Sequence, residues 1–512
     1  MPSNLCNPLL QCDFQTKYIE TDPWISPIIQ LTETRTFSGP ACAGPAWTIA
    51  SQMASALLRA DEKEKLMTRS IVGLTLLPLF LSTAIFAQVE AAERITPELR
   101  SSGSGHLVVP QSGLRTLADI GRKSQTQFKI LVPAGRPEGV VGFSEVEFER
   151  DAVQPVSGYN AETPASLACL YGLVTVTTGC IPGSVTSVSS GGSKAIAIVD
   201  AYDYPTAYSD LVVYSQQFKL PQPTSATFTV AYQGTTAPKP DPNCAAYGGW
   251  DCWASESALD IEMAHAMAPS AHLYLVEANS SSNADLYAAV AKAVTLVKAA
   301  GGGEVSMSWG GGEFPTEASS DSVFTGTNVV FFASSGDSEG TIYPSVSPNV
   351  IAVGGTTISR NPSTMAFQSE TAWEDTGGGF SAYELRPAFQ AGVATKVGTH
   401  RGVPDVAAVG NPRTGVWVYN SFDNTYSGQL YAWNIFGGTS VAAPLWAGIV
   451  NHAGHFSAST AAEETLIYAN ATVAADFRDI TAGNCGYYDG YPAVAGWDTC
   501  SGNGAPLGTV GK

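Results

Sequence analysis

The sequence predicts an α/β fold in which a doubly wound, mostly parallel sheet carries helices on both faces. From about Thr163 onward, continuous apolar runs typical of buried parallel strands alternate with amphipathic or alanine-rich stretches typical of helices. Hydrophobic residues make up 44% of the 512 residues and charged residues 14%. The chain can therefore bury a large core beneath a lightly charged surface.

The predicted elements follow one another without an internal repeat. The run Ala195 to Val199 is a buried strand that ends in Asp200, whereas residues 222–243, rich in Thr, Pro and Ser, are expected to form a loop or hairpin. The other predicted helices are Leu211–Phe218, Ser255–Met267 and Ala284–Ala300, and the other strands are His272–Glu277, Glu304–Trp309, Asn328–Ser334 and Asn349–Gly354. Sites in such sheets lie at the carboxyl ends of the strands.

The N-terminal part divides into three segments of different character. Residues 1–66 show no sustained periodicity, and residues 67–87 have the basic approach and apolar run of a secretory signal peptide. The apolar run is short for a membrane-spanning helix, which favours a signal peptide over an anchor. We expect translation to begin at Met67, so that residues 1–66 are a start-site artefact; a genuine extension is the alternative.

Residues 88–162 are polar and are expected to form a short propeptide or spacer before a main domain at 163–512. They contain weak strand-like stretches at 128–132 and 140–148. The composition changes near 160–163 from polar residues to alternating apolar runs, which predicts the maturation site there. We further expect a secreted, extracellular monomer with no stable membrane association after signal removal.

The net charge and the cysteine spacing indicate which ligands and which cellular compartment are compatible with this protein. The formal net charge of −19 argues against nucleic-acid binding and suits an acidic environment. Six of the nine cysteines fall in close pairs, which favours local disulfides and an oxidising compartment over metal binding. The expected pairs are Cys169/Cys180, Cys244/Cys252 and Cys485/Cys500.

One stretch, 436–444, has the pattern of a serine nucleophile at the start of a buried helix. Small residues lead into Ser440 and an apolar run follows it. Unpaired backbone N–H groups and the positive end of the helix dipole would surround the hydroxyl and stabilise an oxyanion. The alternative is a Gly-rich helix start with a capping Thr or Ser.

A serine nucleophile needs a base, and carboxylates are better candidates here than histidines. His265 and His272 have the positions of structural residues, whereas Glu256 and Asp260 share a helix face at spacing i, i+4. Two close carboxylates cannot both ionise easily, so they would share a proton and could act as a base in acid. Asp337 follows an apolar strand, where a protonated Asp could donate to an oxyanion. The alternatives are solvated carboxylates and a turn cap.

Four motifs in this order resemble the sedolisins, the serine-carboxyl peptidases, over about 163–506. The motifs are Glu256 to Glu262, Ser306 to Gly310, Ser334 to Ser338 and Gly438 to Pro444. The resemblance implies a subtilisin-like fold. It implies that Ser440 is the nucleophile, Glu256 the general base and acid, Asp260 its orienting partner and Asp337 the oxyanion donor. Asp200 and Trp309 would extend the hydrogen-bond network behind the pair.

The resemblance also implies one structural Ca²⁺ site. Asp479 and Asp498 would bind through their side chains, and Ile480, Val494 and Gly496 through their carbonyls. Carboxylates and carbonyls are hard oxygen ligands that suit this ion.

These expectations combine into a secreted zymogen that matures into an acid-acting serine-carboxyl endopeptidase on protein or peptide substrates. A tripeptidyl exopeptidase of the same family is one alternative. A catalytically silent secreted binding protein on the same fold is another. The short segment 88–162 departs from the long folded prodomain that the family usually carries.

Overall fold

The computed structural model describes residues 105–147, 156, 159, 161–486 and 491–512, all within one compact unit at 82–512. The expected start-site artefact and signal peptide lie outside the described residues, as do Cys6, Cys12 and Cys42. Within the described ranges, no helix is both long and apolar enough to cross a membrane.

The helices and strands alternate as predicted from residue 163 onward. The helices are α1 Pro164–Leu170, α2 Ala207–Phe218, α3 Pro242–Tyr247, α4 Trp253–Met267, α5 Asn283–Ala299, α6 Ala394–Val397, α7 Thr439–Ala453 and α8 Thr460–Asn470. The strands up to the site are β1 Gly105–Val108, β2 Gln125–Thr126, β3 Lys129–Pro133, β4 Ala195–Ala201, β5 Phe228–Tyr232, β6 His272–Ala278, β7 Gly303–Met307, β8 Trp309–Gly312, β9 Val329–Ser334, β10 Ile342–Tyr343, β11 Ile351–Arg360 and β12 Phe367–Ala372. The later strands are β13 Gly379–Leu385, β14 His400–Val403, β15 Val406–Val409, β16 Val416–Tyr419, β17 Thr425–Tyr426, β18 Gln429–Leu430, β19 Trp433–Gly437, β20 Phe477–Arg478, β21 Asn484–Cys485, β22 Tyr491–Pro492 and β23 Ala505–Pro506.

The central sheet is doubly wound and mostly parallel, which confirms the predicted fold class. Its order is β12-β11-β9-β7-β4-β6-β5, with β15 also beside β11 and only β12 antiparallel. The chain moves from β4 toward β6 and β5 on one side and toward β7 on the other. The strand order therefore reverses between β4 and β7, and a crevice opens at their carboxyl ends.

Alternate residues of β4 face two different cores. Ile196 and Ile198 pack in the core that contains α4 and α7, whereas Ala197 and Val199 pack in the core that contains α5. This two-faced burial explains the continuous apolar run of the strand, because both faces of a parallel sheet are covered by helices.

Two local predictions were wrong. Residues 228–232, placed in a loop or hairpin, form β5, which pairs in parallel with β6 at the sheet edge. Within the described part of 140–148, no strand forms, and Phe143 makes only an isolated bridge to Trp433. Strand β5 is itself apolar, but it is only five residues long and lies within the Thr-, Pro- and Ser-rich residues 222–243, whose composition favoured a loop.

All three predicted disulfides are present, joining Cys169 to Cys180, Cys244 to Cys252 and Cys485 to Cys500. The second bond ends at the residue immediately before α4, so it fixes the entry into the helix that carries Glu256 and Asp260.

The described part of the predicted propeptide or spacer pairs with strands of the main domain. β3 matches the predicted strand-like stretch at 128–132 and runs antiparallel to β19 and β1, and β2 runs antiparallel to β8. Residues 105–133 thus lie along the edge of the crevice.

Candidate active site

Ser440 occupies the second position of α7, directly after β19. Gly438 precedes the helix with φ 127°, and a Cβ there would lie 2.2 Å from the carbonyl oxygen of Gln127, so only glycine fits. The Ser440 backbone N–H, which the helix itself leaves without an acceptor, donates to that carbonyl at 3.0 Å. The hydroxyl of Ser440 lies 3.2 Å from the carbonyl oxygen of Ser308.

Helix α4 brings Glu256 and Asp260 to this point, with both side chains fully buried. The helix is buried on every side against α7 and the sheet, so its carboxyl side chains are buried together with its apolar ones. Glu256 Oε2 accepts the backbone N–H of Gln127 at 3.1 Å, and Asp260 Oδ1 accepts the Ser308 hydroxyl at 2.8 Å.

Three buried carboxyls share one environment at the switch point of the sheet. Burial raises the pKa of Glu256 and of Asp260 well above the ordinary range, and the charge of Asp200 raises both further. Burial also raises the pKa of Asp200 to about 7, and the nearby Ser257 hydroxyl offsets part of this effect. Because these groups interact, they lose their protons in steps that belong to the set rather than to one residue.

The Ser440 hydroxyl lies close to two possible hydrogen-bond acceptors, the Ser308 carbonyl and the Glu256 carboxyl. In the structure it donates to the Ser308 carbonyl oxygen at 3.2 Å, and its proximity to Glu256 lowers the pKa of that carboxyl. A serine hydroxyl bonded to a carboxylate is the pairing that activation by a general base requires.

Trp309 lies beside Asp200 but does not bond to it. The indole N–H donates to the carbonyl of Val199 at 2.7 Å, and an indole has only one N–H. The predicted network residue therefore supports the end of β4, and through it the position of Asp200.

Asp337 comes three residues after β9 and is held by the start of α7. Its Oδ1 accepts the backbone N–H and the hydroxyl of Thr439 at 2.7 and 2.9 Å, whereas its buried Oδ2 has no hydrogen-bond partner among the described residues. A Cβ at Gly438 would lie 2.7 Å from this Oδ2 and 2.2 Å from the Gln127 carbonyl oxygen, so both oxygens face the same space. Burial raises the pKa of Asp337 to about 7, against the charge of Lys129.

Sequence reasoning missed the roles of Ser308 and Pro444. Proline inside α7 has no N–H for the carbonyl four residues earlier, which is that of Ser440. The Ser308 hydroxyl lies 3.3 Å from this free carbonyl as well as 2.8 Å from Asp260. The sequence did contain a signal for both residues, since each belongs to a motif that was identified through its neighbouring residues.

The predicted calcium ligands gather around one loop near the C-terminus. Asp498 Oδ2 accepts the N–H of Val494 at 2.8 Å, and Asp479 Oδ2 accepts the N–H of Gly496 at 2.9 Å. Ile480 is buried beside Asp479. The described residues contain no group of three or more His, Cys, Asp and Glu side chains suited to a metal. A cation here would therefore depend on backbone carbonyls as well, which is compatible with the hard oxygen ligands of Ca²⁺.

The comparisons agree with this architecture. The Subtilase family model matches residues 241–481. Kumamolisin of Bacillus sp. (strain MN-32) is 32% identical over 315 residues, which cover 54% of this chain and 51% of the relative. Sedolisin of Pseudomonas sp. (strain 101) is 34% identical over 176 residues, which cover 32% of this chain and 28% of the relative. The chain thus spans about half the length of the first relative and less of the second.

The solved structure of Pseudomonas sedolisin, complexed with two molecules of pseudo-iodotyrostatin, has the same fold. It superposes with a TM-score of 0.53 at 24% identity, covering 68% of this chain and 96% of that one. Together with the order of the four motifs, the similarity to kumamolisin and sedolisin supports the sedolisin family, and the superposition shows the fold that this chain shares with sedolisin.

Proposed function

We propose that this protein is a secreted, acid-acting serine-carboxyl endopeptidase that hydrolyses proteins or peptides as a monomer. The observation that carries the proposal is the convergence of Ser440, the Glu256–Asp260 pair and Asp337 at one crevice. The coarser assignment, a serine peptidase of the sedolisin family, has the support of the family relatives.

In the proposed reaction, Ser440 Oγ attacks the peptide carbonyl carbon while Glu256 accepts the hydroxyl proton. The oxyanion is stabilised by the Ser440 backbone N–H and by the proton on Asp337. Glu256 then returns its proton to the leaving amine, and water hydrolyses the acyl-enzyme by the same route. Asp260 orients Glu256 and shares its charge, with Asp200 behind it.

Matched variants on one helix test the role of Glu256. Glu262 is as buried as Glu256 and also has a raised pKa, but it accepts the N–H of Tyr419 away from the crevice. We expect Glu256→Gln and Ser440→Ala to abolish hydrolysis of denatured protein at acid pH, and Glu262→Gln to retain it. Hydrolysis by a correctly folded S440A protein would refute the proposed mechanism.

The pH profile tests the role of Asp337. Its proton is available below a pKa of about 7 and is lost above it, so we expect activity to fall as the pH rises through that value. Asp337→Asn keeps an N–H donor at every pH and should lose less activity between acid and neutral pH than the wild type. Asp337→Ala should lower kcat about a hundredfold with a small change in KM. Equal pH profiles for wild type and D337N would contradict this assignment.

The products decide between the proposed endopeptidase and its alternatives. A peptide with a blocked N-terminus is cut by an endopeptidase, whereas a tripeptidyl exopeptidase leaves it whole. A silent binding protein cuts neither free nor blocked peptides.

We also propose a structural Ca²⁺ ion at Asp479 and Asp498, completed by the carbonyls of Ile480, Val494 and Gly496. The ion would cross-link two segments of the C-terminal region. Support comes from the two carboxylates, each anchored to the 494–498 loop.

A further inference from the structure

We propose that the crevice binds a lysine or arginine side chain of the substrate, at the second residue after the cut bond, in a cation site formed by Asp375 and Trp373. This inference rests on the proposed peptidase function and names a substrate preference for it. Both residues lie in the loop that follows β12, outside the four motifs that identified the catalytic candidates.

The chain's own residues show the path of a polypeptide past Ser440. The carbonyl oxygen of Gln127 accepts the backbone N–H of Ser440 at 3.0 Å, which is the contact that an oxyanion donor makes with a reacting carbonyl. The chain then continues through Phe128 to Lys129, which pairs antiparallel with Gly437 at the end of β19. A substrate on the same path therefore brings its second residue after the cut bond to the position of Lys129.

Two side chains of the loop receive the ammonium group at this position. Lys129 Nζ lies 2.8 Å from Asp375 Oδ2 and 5.1 Å from the centroid of the Trp373 ring. The carboxylate supplies a charge-assisted hydrogen bond, and the ring face attracts a cation. Arginine suits the same pair because its planar guanidinium bonds carboxylates and stacks on aromatic rings.

The cation site is held in place by the protein core. Asp375 is 7% exposed and Trp373 is 1% exposed. The backbone N–H of Trp373 donates to the carbonyl of Gly355 in β11 at 3.2 Å. A carboxylate as buried as that of Asp375 is costly to leave without a cation, so a substrate with an apolar side chain here should bind its transition state less well.

The cation site also influences the candidate oxyanion donor. Burial raises the pKa of Asp337 to about 7, the charge of Lys129 opposes this rise, and the charge of Asp375 adds to it. The other groups that face Asp337 are Glu256, through its charge, and Thr439, through its hydroxyl and N–H. A substrate cation in the site should favour loss of the Asp337 proton, so activity on a basic peptide should end at a lower pH than activity on a neutral one.

A pair of peptides tests the preference with the enzyme unchanged. Both are built on a peptide that the protein cuts at one mapped bond, with lysine or norleucine as the second residue after that bond. We expect kcat/KM at acid pH to be about tenfold higher for the lysine peptide, because its hydrogen bond to Asp375 is charge-assisted. An arginine peptide should behave like the lysine peptide, and the alkaline limit of activity should lie at lower pH for both than for norleucine.

Matched variants of two adjacent carboxyls assign the preference to Asp375. Asp375→Asn should bring the ratio of kcat/KM for the lysine and norleucine peptides close to one. Glu374→Gln changes the exposed neighbouring carboxyl and should keep the ratio of the wild type. The ratio does not depend on the amount of active protein, and the two peptides test the preference in the wild type even if the D375N protein fails to fold.

The outcomes separate this inference from the proposed function. Equal kcat/KM values for the lysine and norleucine peptides in the wild type overturn the inference and leave the peptidase activity standing. A tenfold preference that persists in D375N also overturns it, because the cation would then be bound elsewhere. A protein that hydrolyses no peptide at acid pH overturns the proposed function and this inference with it.

Discussion

At the scale of single residues, Ser308 connects the two halves of the candidate catalytic machinery. Its hydroxyl lies 2.8 Å from Asp260 Oδ1 and 3.3 Å from the Ser440 carbonyl oxygen, which Pro444 leaves without a helical partner. Donation to Asp260 lowers the pKa of that carboxyl and so favours the ionised form of the pair. A hydroxyl that bonds a reacting carboxylate should matter more than one that bonds a neutral group.

We expect Ser308→Ala to lower kcat about tenfold, since a hydrogen bond to a charged group contributes about 1.5 kcal/mol or more. The matched control is Ser306→Ala, in β7 two residues earlier. Ser306 is equally buried, but its hydroxyl has no hydrogen-bond partner among the described residues. Steady-state kinetics at acid pH compares the two, and an equal loss in both variants would show that Ser308 acts only through packing.

At the scale of elements, the pattern of apolar residues along the sequence predicted the helices and strands that are fully buried. β4, α4 and α7 were predicted because their runs of apolar and small residues match their nearly complete burial between sheet and helices. β5 was missed because it is only five residues long and is surrounded by the Thr, Pro and Ser residues of 222–243.

The placement of 105–133 had no local signal at all. β3 could be recognised as a strand, but its pairing with β19 joins residues roughly 300 apart in the chain. Such pairing depends on tertiary structure, so neither the contact of Gln127 with Ser440 nor its contact with Glu256 could be predicted from residue spacing. The Glu256–Asp260 pair, by contrast, follows from helical periodicity alone.

The proposed Ca²⁺ site in the loop at residues 494–498 leads to a testable prediction about stability. If Ca²⁺ joins Asp479 to the 494–498 loop, which includes Asp498, EDTA should lower the melting temperature by several degrees. Added Ca²⁺ should restore it. EDTA preloaded with excess Ca²⁺ is the control. Asp498→Asn should remove the sensitivity to EDTA.

The alternative is that a side chain already supplies the positive charge. Lys396 Nζ donates to the carbonyls of Ala495 and Trp497 at 2.9 and 2.6 Å, on the same loop. A melting temperature that is insensitive to EDTA, but lowered in Lys396→Met, would assign the loop to the lysine instead of a metal ion.

At the scale of the whole molecule, buried carboxyls with raised pKa values couple folding to acid. Burial is the first cause in each case, and the affected groups extend beyond the candidate site. The pKa is raised to about 6 for Asp251, to about 7 for Asp200, Asp337 and Glu384, and to about 8 for Glu277. In the unfolded chain these groups would titrate near 4.

The direction of the effect follows from proton binding. Between about pH 4 and 8 the folded protein binds more protons than the unfolded chain, so the free energy of unfolding falls as the pH rises. The contribution is complete below the unfolded pKa values and is lost as the pH rises through about 6 to 8. We therefore expect the folded protein to be most stable in the same acid range in which Asp337 retains its proton.

We expect the melting temperature of the inactive S440A protein to fall by several degrees between acid and slightly alkaline pH. The inactive variant prevents self-digestion, and saturating Ca²⁺ is needed because loss of a bound cation at low pH would act in the opposite direction. Adding Asp200→Asn, which cannot ionise, should flatten the pH dependence. A melting temperature that rises toward alkaline pH under these conditions would show that the buried carboxyls are ionised in the folded protein, and would remove the physical basis for an acid-adapted fold.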